Sequence, residues 1–167
     1  MSIKKIIAVA LLLSTTSAMA TDSPINGTVQ PKCSVYTETQ GVYGNPLPNK
    51  LDTLPASGGT KASIRYDVAQ ANFYLARITH PNSFSSSPTL NDSVAWTGSS
   101  VVGQVSVAGM SAYEAAKVIS PINVTTFDLT LAGSTWFTVS STATYGYNKA
   151  LPAGNYTAII KADCIAK

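Results

Sequence analysis

Nucleophilic catalysis needs a base beside a hydroxyl or thiol, and this chain has a single candidate base, His80, its only histidine. Serine is abundant and aspartate is available, but no Gly-x-Ser-x-Gly turn exposes a nucleophile. His80 is followed by Pro81 and reads as a solvated histidine at a strand end. The acids Asp22, Glu38, Asp52, Asp67, Asp92, Glu114, Asp128 and Asp163 are scattered. They form neither an Asp-x-Asp-x-Asp calcium loop nor a close pair for glycoside hydrolysis, although a pair could assemble from distant positions. No catalytic signature stands out. The expectation is a protein that is not an enzyme and holds no cofactor.

Cysteine chemistry is the second possibility. Cys33 and Cys164 are the only cysteines. A zinc site or a redox pair would call for Cys-x-x-Cys spacing or more histidines. Local patterning favours a disulfide. Val29, Pro31, Cys33 and Val35 alternate with Thr28, Gln30, Lys32 and Ser34. Tyr156, Ala158, Ile160, Ala162 and Cys164 alternate with Thr157, Ile159, Lys161 and Asp163. Each cysteine falls on the more apolar face of its strand, so both can point inward and the first and last strands are expected to be neighbours.

An oxidising compartment is also expected. Lys4 and Lys5, an apolar run at 6–13 and Ala18-Met19-Ala20 have the form of a signal peptide over residues 1–20, leaving a mature domain over 21–167. The apolar run is too short to span a bilayer, so the mature chain is expected to have no membrane span. Removing Lys4 and Lys5 leaves nine basic against eight acidic residues. Such a balance offers no basic field for nucleic acid or anionic lipid. Four Asn-x-Ser/Thr sites begin at Asn26, Asn91, Asn123 and Asn155, but the leader has a bacterial look that would make them irrelevant.

The elements that must position these residues read as short strands between turn residues. Strands are expected at 25–37, 61–69, 72–80, 93–97, 101–108, 122–131, 135–145 and 155–165. Long loops are expected at 40–60 and 81–91. Gly98-Ser99-Ser100 and Ala132-Gly133-Ser134 read as hairpin turns. Residues 111–118 have helical propensity for one or two turns. The pattern predicts an all-β fold, a single Ig-like or Greek-key sandwich of about eight strands with one short helical turn and a Cys33–Cys164 bridge. Loop aromatics could bind a glycan or a surface partner, with Tyr145, Tyr147 and Trp96 the candidates, and core packing is the alternative for Trp136.

Three stretches carry a resemblance. Gly27-Thr28-Val29-Gln30-Pro31-Lys32-Cys33-Ser34-Val35 resembles the opening strand of the spore-coat-protein-U and Csu-type secreted pilin group. Gly59-Thr60-Lys61-Ala62-Ser63-Ile64 with Arg65 resembles its second strand, and Leu151-Pro152-Ala153-Gly154-Asn155-Tyr156-Thr157-Ala158 its closing strand. The resemblance implies an incomplete Ig-like sandwich, completed when a neighbouring pilin subunit donates an N-terminal strand. It implies export through the periplasm to a fimbrium at the cell surface, with a periplasmic chaperone and an outer-membrane usher as partners. On that footing Ile25 and Val29 are donor-strand residues, and Tyr156, Ala158 and Ile160 line the acceptor groove. Three features depart from the group. Arg65 and Tyr66 stand where the group's second-strand cysteine is expected, Pro24 and Pro31 interrupt the leader, and the chain ends in Ile165-Ala166-Lys167 without a terminal aromatic. These departures keep open a self-complete monomeric sandwich that binds through its loop aromatics.

Overall fold

A strand buried on one face only must alternate at period two, and residues 62–68 do so without a break. Ala62, Ile64, Tyr66 and Val68 are buried, while Ser63, Arg65 and Asp67 lie on the other face. The computed structural model describes residues 24–28, 32–113, 116–119 and 124–167, with the backbone alone at 116–119. The expected signal peptide and Val29 lie outside the described residues. The chain divides into two compact units, Met1–Gln30 and Pro31–Lys167. In the first, residues 24–28 form no helix or strand and Ile25 is solvent-exposed.

The second unit holds the strands β1 (Cys33–Thr39), β2 (Gly44–Leu47), β3 (Lys50–Asp52), β4 (Ala62–Val68), β5 (Tyr74–Thr79), β6 (Val94–Val105), β7 (Ala116–Ile119), β8 (Val124–Leu129), β9 (Gly133–Tyr145) and β10 (Lys161–Ala166). Two 3-10 turns, Pro55–Ser57 and Ala108–Ala112, are the only helical pieces among the described residues. One sheet runs β1–β4–β9–β6–β7, and β3 and β2 continue beside the far half of β9. The other runs β10–β5–β8. Every pairing is antiparallel. The fold is an all-β sandwich of two sheets.

Its main core draws on both sheets. Ile64, Tyr66, Phe137 and Val139 come from one, and Ala76, Ile78, Phe127 and Leu129 from the other. Phe137 meets Tyr66 edge-on at 5.5 Å between ring centroids and Phe127 at 4.4 Å. Full burial of such a ring is worth about 3 kcal/mol by transfer alone. A smaller core of Leu51, Trp96 and Ala143 lies farther along β9. On the outer face, Tyr36, Arg65 and Trp136 stand in register across three strands. The Arg65 guanidinium lies 4.6 Å from the Tyr36 ring centre and pairs with Glu38 and Asp67. Arg65 and Tyr66 thus have an outward and an inward role. Core packing claims Phe137 of the Trp136-Phe137 pair.

The fold departs from the local sequence pattern in several places. Residues 93–108 do not form a hairpin around Gly98-Ser99-Ser100, because β6 passes straight through them and pairs with β9 on one side and β7 on the other. Residues 132–134 do not close a hairpin either. Both edges of β9 are already taken by β4 and β6, so β8 crosses to the opposite sheet and pairs with β5. Of the helical turn expected at 111–118, Ser111 and Ala112 belong to the 3-10 turn Ala108–Ala112, 114–115 lie outside the described residues, and 116–118 join β7, where the edge of β6 supplies a ladder that a lone turn cannot match. The loop at 40–60 contains β2, β3 and a Val42–Thr60 bridge. The last strand pairs only from Lys161.

Cys33 and Cys164 form the disulfide, with Cα atoms 6.2 Å apart and 131 residues of separation. β1 and β10 are neighbours without sharing a ladder, since each is the edge of a different sheet and the bridge joins the two edges. Loop-closure entropy allows at most about 5 kcal/mol for a bridge of this span. Replacing both cysteines by serine is therefore expected to lower unfolding stability by about 2–5 kcal/mol in urea titration, with a matching loss on reducing the native chain.

Candidate functional site

The two sheet edges joined at Cys33–Cys164 do not stay together along their length. On β1, Cys33 to Val35 are half-buried and Tyr36 to Thr39 are exposed, and β4 is its only ladder partner among the described residues. On the facing side, β10 follows its β5 partner back to the Lys161–Thr79 pair. Pro81, two residues beyond Thr79, lacks an N–H, so it cannot donate to a continuing ladder. Residues 158–160 carry no strand pairing, and Thr157 bridges to Ser86 instead.

Between these edges lies a groove of about 390 Å³. Ala62, Ile64, Pro81, Ala158 and Ile160 give it apolar walls. Thr37, Thr39, Gln40, Tyr43, Thr53 and Ser141 add polar groups to the lining. Tyr43 Oη lies 3.0 Å from Ser141 Oγ, and the Ser141 backbone N–H donates to Thr53 Oγ1 at 2.9 Å. Burial pushes the Tyr43 phenol up, and the nearby Asp52 carboxylate adds to this, so the phenol is neutral at physiological pH. The inward residues of the closing segment, Tyr156, Ala158, Ile160, Ala162 and Cys164, are all only half-buried, whereas Ala76 and Ile78 on adjacent β5 are fully buried. A strip of core-facing surface therefore stays open beside two strand edges. This arrangement can take an extended peptide: backbone pairing at the edges and small apolar side chains against the wall.

Ala158 and Ile160 line the groove, together with Ile159. Tyr156 does not. It is drawn into the smaller core, its ring 5.0 Å from Phe84 and its hydroxyl donating to the Pro152 carbonyl at 2.6 Å. Tyr145, Tyr147 and Trp96 do not form a shared binding surface. Trp96 and Tyr145 are buried, and Tyr145 Oη accepts the Asn91 N–H at 3.1 Å. Only Tyr147 is exposed, at 89%. Thr37, Thr53, Pro81 and Ser141 are groove residues that the sequence pattern does not single out. Pro81 alone carried a legible signal, as a ladder terminator at a strand end.

His80 is buried rather than solvated. Its Nε2 lies 2.8 Å from Ser100 Oγ, and its Nδ1 has no hydrogen-bond partner among the described residues. Ser100 is fully buried, so this base–hydroxyl pair is closed to any substrate. A side chain at Gly98 would place its Cβ 2.5 Å from His80 Nδ1, so glycine makes room for the ring between the sheets. No helix among the described residues is long and apolar enough to cross a membrane. Searches of protein-family models, curated proteins and solved structures return no match to this chain.

Burial lowers the His80 pKa from 6.5 to about 4. Between those values the unfolded chain binds a proton that the folded chain refuses. His80's contribution is therefore fully present above pH 6.5 and is lost as pH falls toward about 4, by at most about 3 kcal/mol. Urea midpoints measured across this range should decline with acidification, and His80→Gln should flatten the decline. Gly98→Ala should destabilise by about 1–3 kcal/mol at every pH, because the clash is steric.

Proposed function

We propose that this chain is a non-enzymatic structural subunit of a surface pilus, in which each subunit accepts an extended strand from the leader of a neighbouring copy. The observation that carries this reading is the groove between β1 and residues 158–160, edges without a further ladder partner among the described residues, walled by Ala158, Ile160, Ala62 and Ile64. An incoming strand would satisfy backbone groups on those edges and cover the half-buried face of the closing segment. The sequence resemblance at both ends of the mature chain supports the same reading.

In this scheme Ile25 and Val29 are the donor residues. The stretch 25–30 lies between Pro24 and Pro31 and keeps all its N–H groups, so it can pair. Contacts made head to tail do not close into a ring unless the rotation closes, so they propagate a filament. A periplasmic chaperone and an outer-membrane usher would guard and order the exposed edges before assembly, and export through the signal peptide would deliver the chain to them.

Surface material run in SDS without reductant is expected to show a ladder of multimers when unheated and one band when heated. Ile25→Asp should abolish the ladder while the monomer keeps its melting temperature. A single monomer band in both lanes, from intact native material, would overturn the pilus reading.

A further inference from the structure

A second hollow, separate from the strand groove, is lined by the serine-rich segment between β5 and β6 and by the start of β6. It measures about 450 Å³, within the range of small-molecule sites. Its apolar side includes Phe84 and Trp96, whose rings meet edge to face at 4.8 Å, with Leu90 and Val94 beside them. Asn82, Ser83 and Thr89 contribute polar groups to the lining, and their side chains make no hydrogen bond among the described residues. No charged residue lines it.

An exposed loop of this composition would ordinarily be mobile, but this one is held at several points. Ser85 N–H donates to the Thr157 carbonyl and Thr157 N–H to the Ser86 carbonyl, each at 2.8 Å. Asn91 N–H donates to Tyr145 Oη. At Gly154 (φ 150°) an added Cβ would fall 2.5 Å from Pro88 Cγ, so only glycine lets that turn close on the loop. Anchoring of this kind leaves the hollow preformed, and a preformed site loses less entropy on binding.

The geometry points to a binding site for a neutral saccharide. Sugar C–H faces suit the half-buried Phe84, Leu90 and Val94, against which the buried Trp96 ring packs, and sugar hydroxyls suit the unpaired amide and hydroxyl groups of Asn82, Ser83 and Thr89. A lining without charge gives no partner to a phosphate, sialate or uronate, whose desolvation would go uncompensated. This site does not rest on the pilus reading, since it shares no lining residue with the strand groove.

The test uses the mature chain, residues 21–167, carrying Trp136→Phe so that Trp96 is the sole indole. Oligosaccharides of glucose, mannose and galactose are the neutral probes, and oligogalacturonate is the acidic one. At least one neutral series is expected to change Trp96 emission saturably, with no response to oligogalacturonate. Asn82→Ala and Thr89→Ala should each weaken that binding by about tenfold, the loss of one good hydrogen bond, without lowering the melting temperature. Should Trp136→Phe impair folding, the same titrations are read by calorimetry on the unsubstituted chain. No saturation with any neutral series, equal binding of oligogalacturonate, or affinity unchanged in both variants would each overturn the proposal.

Discussion

Strand β9 is the constraint on which the rest of the sandwich depends, because backbone ladders flank it on both sides along most of its length. β4 and then β3 take one edge, and β6 takes the other from Thr135 to Tyr145. Its register sets both cores. Phe137 lies opposite Ile64 on one neighbour and Val102 on the other, and Ala143 lies opposite Leu51 and Trp96. A slip of one residue would turn every one of these side chains to the opposite face. With both edges of β9 occupied, β8 has no place beside it and must help to build the second sheet. The two-layer architecture follows from the saturation of that one strand.

The edges farthest from β9 have the opposite character. Among the described residues β1 and β10 each pair on one side only, and the disulfide ties them where they approach. Beyond the tie, exposed residues of β1 and the half-buried Ala158 and Ile160 line the same groove. Unpaired edges beside apolar surface invite association, so natural proteins usually cover, charge or shorten them. Here the small side chain of Ala158 and the loss of a ladder donor at Pro81 keep this edge accessible. The bridge limits how far the edges can part while leaving most of their length free.

The strand at 62–68 and the inward phase of the closing segment were legible because period-two patterning is local and both segments have one apolar face. The cysteine pairing was legible because there were only two cysteines, each on an apolar phase. The course of 93–108 was not. Gly98-Ser99-Ser100 has turn composition, yet the glycine is there to admit the His80 ring and Ser100 is there to meet its Nε2. Both reasons depend on a residue about twenty positions away. The aromatics failed for a similar cause: Trp96 and Tyr145 are buried by loops from distant parts of the chain, and the amino acid type does not say what will cover it.

By itself the sequence determined the class of fold, the strand faces, the disulfide and the absence of any catalytic signature, since each follows from composition, from spacing along the chain or from the phase of alternation. Only the tertiary structure decided which strands pair, that the hydroxyl beside the single histidine is sealed from solvent, and that Ala158 and Ile160 face an open groove while Tyr156 does not. Those outcomes depend on which backbone edges are already satisfied and on what lies across the core. Such competition among distant segments leaves no mark in local patterning.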